Sequence, residues 1–389
     1  MAVLAGCASE NVAPPATTIR DSANVRIATT EGAERLPALD WTVDRGIEIG
    51  ATPEEATRPL FQITGATRLS DGRIVVGSAG NHQLRFYSAE GEPLATAGWM
   101  GTGPGEFQAL MWIGSIRGDT VLAWDAAAAR LSVFDANGRF VRSVTPAATL
   151  GLFPRALGAL TDGRVILATG AGVAFPQPGK ARRDTLDYVL LHPDATLHRL
   201  GRFPGAETIA LRDPSGGMLI RPLPFGLATV AAAHGSQVFI STAREYEIRA
   251  YDPARGLTSV IRTDRGALPV TKQDIEDYRR LLVTLGGPGD SEASRKQERL
   301  LEQAPYPERM PAVTALLTDE EGKLWLQESQ KPGDPNGSPW TVFAPQGQPL
   351  GTMRLPKDLQ VHAIGRDWIL GVQLDEEHVE HLKLFRLTR

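Results

Sequence analysis

One hairpin, repeated six times, limits what this chain can become. A tight turn precedes an apolar strand at Asp71-Gly72 (RIVVGS), Arg117-Gly118-Asp119 (TVLAWD) and Asp162-Gly163 (RVILAT). The same unit returns at His234-Gly235-Ser236 (QVFIST), Glu321-Gly322 (KLWLQE) and Gly365-Arg366 (DWILGV). The turn residues tolerate positive φ, and near-continuous apolar strands are those buried on both faces. A second strand follows each hairpin, and most of these end in a further turn, such as Glu90-Gly91 and Asn137-Gly138. Gly72 and Gly118 are 46 residues apart, Gly118 and Gly163 are 45 apart, and Gly322 and Arg366 are 44 apart. Four short strands in each such period describe a propeller blade. A sandwich does not keep this period, and an α/β fold needs a helix in every unit. The expectation is an all-β, six-bladed β-propeller over residues 41–389.

Two intervals are longer. Gly163 to Gly235 is 72 residues, with loops expected near 170–185 and 203–227. Gly235 to Gly322 is 87 residues and carries a helical insertion at 271–310, between blades 4 and 5. There Thr271 can cap a helix with Asp274 in its first turn, Ile275, Tyr278, Leu281, Leu282 and Leu285 recur at helical spacing, and Gly286-Gly287-Pro288 stops it. The last unit runs out one strand short at Arg389, whereas Trp41–Ile49 alternates apolar and polar residues and has no unit of its own. Residues 41–49 are therefore predicted to form the outer strand of the sixth blade, covering an open edge.

A net charge of −4 excludes a generally basic surface of the kind that binds nucleic acid. No run of about 18 apolar residues is present, so no segment is expected to span a membrane. With one cysteine there is no intrachain disulfide. That cysteine lies in Leu4-Ala5-Gly6-Cys7, which resembles the lipobox of bacterial lipoproteins, in which the mature protein begins at a lipidated Cys. The resemblance implies lipidation of Cys7. Residues 1–40 then read as a truncated signal-like segment followed by a flexible polar tether, with Pro14 and Pro15 in it.

The first unit, LSDGRIVVGSAGNHQLRFYSAEGEPLATAGWMGTGPGEF, resembles an NHL repeat. The matching positions are Asp71-Gly72, Asn81-His82, Phe86 and Gly103-Pro104-Gly105-Glu106-Phe107. Residues 316–327 and 375–387 are similar to uncharacterised bacterial six-bladed-propeller lipoproteins. The resemblance implies the fold and an envelope location facing the periplasm or exterior. It implies no activity, because such propellers include scaffolds and enzymes.

Candidate chemistry is sparse. The loop at 101–106 lacks the Lys-Ser/Thr pair and following helix of a phosphate-binding loop. Asp375-Glu376-Glu377-His378-Val379-Glu380-His381 is rich in metal ligands, but in an extended strand His378 and His381 diverge, so a solvated hairpin is expected. The predicted inner strands carry only Arg68, Arg117, His234 and His362 as ionisable residues, too few oxygen ligands for a Ca²⁺ site. Trp124, Trp325 and Trp368 recur in second strands, as packing between blades requires. Neither a catalytic set, nor a metal site, nor a cofactor is predicted. The expectation is a monomeric binding or scaffold protein, contacting a protein, peptide or carbohydrate through loops on one face. Asn81, His82, Arg130, Arg182, Arg183, Arg244 and Glu245 are its candidate contacts, in the loops between second and third strands. The rival is a metal-dependent hydrolase or lyase acting at the mouth of the central channel.

Overall fold

Strands apolar on both faces need a partner on each side, and the architecture supplies two to every sheet. The computed structural model describes residues 13–49, 59–151, 153–170, 177–212, 216–285, 291–375 and 379–389; Cys7 and His378 lie outside them. Three strands come first: β1 (Ala16–Ser22), β2 (Val25–Glu31) and β3 (Thr42–Ile49). The first sheet is β4 (Ile63–Arg68), β5 (Ile74–Ser78), β6 (Gln83–Tyr87) and β7 (Pro93–Ala97). The second is β8 (Leu110–Ile116), β9 (Thr120–Asp125), β10 (Arg130–Phe134) and β11 (Phe140–Val144). The third has five strands, β12 (Arg155–Ala159), β13 (Val165–Thr169), β14 (Ala181–Leu191), β15 (Leu197–Arg212) and β16 (Met218–Pro222). The fourth holds β17 (Val230–His234), β18 (Gln237–Ser241), β19 (Glu247–Asp252) and β20 (Gly256–Thr263). Two helices follow, α1 (Lys272–Leu285) and α2 (Glu292–Glu302). The fifth sheet is β21 (Ala315–Thr318), β22 (Leu324–Gln327), β23 (Ser338–Phe343) and β24 (Pro349–Leu355). The sixth is β25 (Gln360–Ile364), β26 (Trp368–Leu374) and β27 (Glu380–Thr388), with β3 as its outer strand.

Within each sheet successive strands are antiparallel. Their first strands touch in a cycle: β4 with β8, β8 with β12, β12 with β17, β17 with β21, β21 with β25, and β25 with β4. This mostly β assembly of small sheets around an axis has the architecture of a β-propeller. Second-strand residues alternate between neighbours. Ile74 and Val76 pack with Trp368 and Leu370 of the sixth sheet, while Val75 packs with Val121 and Ala123 of the second. Leu122 and Trp124 meet Val165 and Leu167; Ile166 and Ala168 meet Val238 and Ile240. Phe239 meets Leu324 and Leu326, and Trp325 meets Ile369. Each fully buried Val, Leu or Ile contributes about 1.5–3 kcal/mol, so these six seams supply most of the driving force. The turns before the second strands place Gly72, Gly118, Gly163, Gly235 and Gly322 at φ of +61 to +92°, where a side chain is strained.

The N-terminal segment is a belt across three sheets. β2 pairs parallel to β20, with Arg26 opposite Ser259, and β1 adds a sixth strand to that sheet. Asp264 then accepts the Gly32 and Ala33 amides at 2.6 and 3.0 Å, which holds its carboxyl below the usual range. Leu39 N–H donates to Thr352 O (2.7 Å) and Thr352 N–H to Pro37 O (2.9 Å), tying the belt to the fifth sheet. β3 finally pairs antiparallel with β27, with Ile49 opposite Leu382. The last residue locks the join: Arg389 lies 4.9 Å over the Trp41 ring and 2.7 Å from the fully buried Asp319 carboxylate.

Two local readings change. Much of the stretch expected as a tether is ordered, because Ala16–Glu31 forms the β1–β2 hairpin. Of the stretches expected as loops near 170–185 and 203–227, residues 181–185, 203–212 and 218–222 are strand: β14 and β15 extend beyond their pairing with β13, and β16 pairs with the extension of β15. Arg182 and Arg183 therefore sit in β14, not in a loop, with Arg183 opposite Glu207. Thr271 does begin α1, its Oγ1 accepting the Asp274 amide (3.2 Å) while Asp274 accepts the Thr271 amide (2.8 Å).

If β3 contributes core to the sixth sheet, Ile49→Ala should cost about 2–5 kcal/mol in urea denaturation. Leu94→Ala, on the exposed outer strand β7, should stay within about 0.5 kcal/mol.

Candidate functional site

Strand direction decides which loops share a face. The connections leading into first strands and those between second and third strands lie together, at one mouth of the ring formed by β4, β8, β12, β17, β21 and β25. At this mouth large apolar side chains stand in solvent: Phe61 (56% exposed), Met111 (51%) and Phe153 (65%). Trp99 and Met100 are also exposed, on the connection from β7 to β8. Phe61 is held in place, since its amide and carbonyl both bond Ser78 Oγ at 3.1 Å and its ring lies against Gly80. Met111 is the extra residue of a bulge in β8, between Leu110 and Trp112, and a bulge re-aims a side chain.

The loop candidates divide into structural and free groups. Asn81 Nδ2 donates to Pro59 O (2.9 Å) and Ser78 Oγ (2.8 Å), and His82 adopts φ +54° at the end of the same turn. Arg130 is the first residue of β10 and not part of a loop; it donates to Thr102 O (2.8 Å) and Glu106 O (2.7 Å) and so braces the 101–107 loop. Inside that loop Glu106 accepts Gly103 N–H and Trp99 Nε1–H, both at 2.7 Å. Its carboxylate occupies the amide cradle that a phosphate would need. The buried Asp125 does similar work, accepting the amides of Gln108, Ala109, Ala127 and Ala128. Sequence reading passed over it, although a lone Asp ending an apolar strand was the available signal.

Arg183 lies in the seam between the third and fourth sheets. Its Nε donates to Gly205 O (2.9 Å), and its Nη2 donates to Thr242 O (2.8 Å) and Thr229 Oγ1 (3.3 Å). Burial lowers its pKa; Glu207 opposes that shift and Arg244 adds to it. Arg182 pairs with Asp184, whereas Arg244 and Glu245 are exposed. Tyr188, buried in the same seam, has its pKa pushed up to about 12 by burial, against the pull of Arg155 and Arg183. The structure thus brings Arg183 and Arg244 together and adds Arg155, while Asn81, His82 and Arg130 belong to other sheets.

A second concavity holds a paired acid and base. A groove of about 330 Å³ beside β24 contains Arg265 and Glu328, which pair with each other, and Thr341 Oγ1 donates to Glu328 at 2.6 Å. Around the acidic 375–381 segment, His381 lies 2.9 Å from Asp375 and 3.2 Å from Glu48. Among the described residues no three His, Cys, Asp or Glu side chains converge as a metal site.

No protein-family model matches the chain, and no curated protein matches it. Solved structures do align along most of it. A Bacteroides fragilis protein named as exported shares 12% identity, covering 93% of this chain and 99% of its own, at TM-score 0.48. Virginiamycin B lyase from Staphylococcus aureus shares 10%, covering 90% and 100%, at 0.45. A gluconolactonase from Xanthomonas campestris shares 12%, covering 90% and 99%, at 0.43. Likenesses this distant assign no activity and no site residue to this chain.

His362 is the ionisable group deepest among the inner strands. It forms the extra residue of a bulge in β25, its Nε2 is buried without a partner, and burial lowers its pKa to about 4. Between the ordinary value near 6.5 and 4 the unfolded chain takes up the proton first. Stability present above pH 6.5 should therefore fall as pH drops towards 4, by at most about 3 kcal/mol. Denaturation at about pH 7 and about pH 4.5 should show a smaller loss for His362→Leu than for the parent.

Proposed function

We propose that this chain is an exported, NHL-like six-bladed propeller, with α1 and α2 inserted between blades 4 and 5, acting as a binding protein. Its ligand sits at the channel mouth on the face that gathers the first-strand and second-to-third-strand loops. The observation that carries this reading is the group of exposed Phe61, Met111 and Phe153 on three successive first-strand approaches. Large apolar side chains gathered in water at one mouth mark a surface that another molecule covers. Rigid sheets hold the loops around one depression, which suits recognition of a peptide, protein or carbohydrate. Monomeric action is part of the proposal.

Screening peptides and oligosaccharides by heteronuclear NMR should yield ligands whose affinity drops about tenfold or more in Phe153→Ser and Met111→Ser. Both variants should keep the parent's stability within about 0.5 kcal/mol. Ligands that bind both variants unchanged would remove the mouth as the site. Stoichiometric Ca²⁺ or Zn²⁺ in the purified protein would favour a metal-dependent hydrolase or lyase at the same mouth.

Lipidation at Cys7 belongs to the same proposal, on the strength of the Leu4-Ala5-Gly6-Cys7 pattern. The full gene product should fractionate with membranes, and Cys7→Ala should move it to the soluble fraction. Equal partitioning of the two would refute the anchor.

A further inference from the structure

Three arginines flank one seam of the mouth and outnumber the acids beside them. Arg155 opens β12 and lies opposite Ala168, which in turn lies opposite Tyr188. Ala168 and Tyr188 face the fourth sheet, so this row belongs to the third–fourth seam. Arg183 reaches across that seam to Thr229 and Thr242, and Arg244 follows Thr242 by two residues on the connection to β19. Among the described residues none of the three lies within ion-pair distance of a carboxylate. Elsewhere Arg73, Arg164, Arg199, Arg249, Arg265 and Arg389 each do. Of the nearest acids, Glu207 stands opposite Arg183 and compensates part of its charge while giving Oε2 to the Leu227 amide (2.8 Å), and Glu245 is exposed beside Arg244.

Arg183 is already oriented. Its Nε and Nη2 are fixed on neutral oxygens, which cancel no charge, and its Nη1 makes no hydrogen bond among the described residues. Burial and Arg244 both disfavour the Arg183 charge, Glu207 offsets only part of this, and an anion brought by a ligand would add to that offset. Guanidinium groups match the paired oxygens of carboxylate and phosphate.

We propose that Arg155, Arg183 and Arg244 form an oxyanion receptor that takes a carboxylate or phosphate group of the ligand, with Arg183 as its pre-oriented floor. The inference rests on the mouth being the ligand site, and it adds the chemical class: an anionic group joined to an apolar part that lies over Phe153.

The test uses the parent and an Arg155→Ala/Arg244→Ala double variant, since both side chains are exposed and bond nothing else in the described structure. Thermal melting is followed in sodium phosphate, acetate and chloride at equal ionic strength. Phosphate or acetate should raise the parent's Tm by about 1–2 °C over chloride, and the rise should vanish in the double variant. A rise with phosphate alone assigns a phosphoryl group; one with acetate assigns a carboxylate. Identical melting in all three salts, or a rise that survives in the double variant, overturns the receptor. Should the double variant not fold, Arg244→Gln alone must reduce the rise, or the receptor fails. Ligands lost in Phe153→Ser but carrying no anion, with no anion effect on melting, would leave the mouth reading standing and this inference fallen.

Discussion

Everything in this molecule depends on sheets that cannot tolerate a free face. Ile74 and Val75 point in opposite directions and are both fully buried, so the first sheet needs the sixth on one side and the second on the other. Repeating that demand six times leaves only a closed ring, because an open row would expose an apolar face at each end. Closure falls to β3, which joins β27 across more than 300 residues of chain. Bringing ends that far apart together costs on the order of 5 kcal/mol in loop entropy. Ile49 is buried at the join, with Trp41, Val43 and Ile47 packed alongside, and each buried side chain of this kind returns about 1.5–3 kcal/mol. The strand is thus only modestly favourable by itself. This explains why Arg389, Asp319 and Trp41 reinforce the same junction.

The repeat was legible because its signals are local. A glycine at positive φ before an apolar strand needs no knowledge of the partner sheet, and Trp41–Ile49 announced itself by alternation without a unit of its own. The β1–β2 hairpin gave no such signal. Its turn is made by Ala23 and Asn24, at φ +51° and +65°, where glycine is the usual marker. All of β1 except Thr17 is exposed, so its sequence reads as solvated chain. It is ordered by pairing with β2, and β2 by a distant strand, β20. The site was legible only as a set of loops. Arg183 could be nominated from its position, but its bonds run to Gly205, Thr229 and Thr242, which no local pattern connects to it.

The two faces of the ring are unequal. On the face opposite the mouth, first and second strands are joined by tight turns such as those at Gly72, Gly118 and Gly163. Every large elaboration sits on the mouth side: the 98–107 connection, the extended β14 and β15 with β16, and the two helices. These elaborations also touch each other. Ile209, Leu211 and Leu223 pack against Leu300 and Ala304 of the helical segment, and Gln303 accepts the Arg212 amide at 3.1 Å. The extension of the third sheet and the helices therefore form one wall, next to the seam that holds Arg183. Among the described residues sheets 1 and 2 carry no such wall, and there Phe61 and Met111 stand in the open. A cationic, walled side facing an open apolar side orients an elongated ligand better than a symmetric mouth would.

The belt also constrains how the mouth would meet an envelope. β20 runs towards the mouth face, β2 lies parallel to it, and β1 returns antiparallel, with Ala16 opposite Glu31. Ala16 consequently stands at the mouth-side rim of the fourth sheet. Eight residues lie between it and Cys7, a span of at most about 30 Å when fully extended. A lipid at Cys7, as proposed, would hold this rim within that distance of the bilayer, so access to the mouth would run laterally between protein and membrane. The tight-turn face would then look away from the lipid.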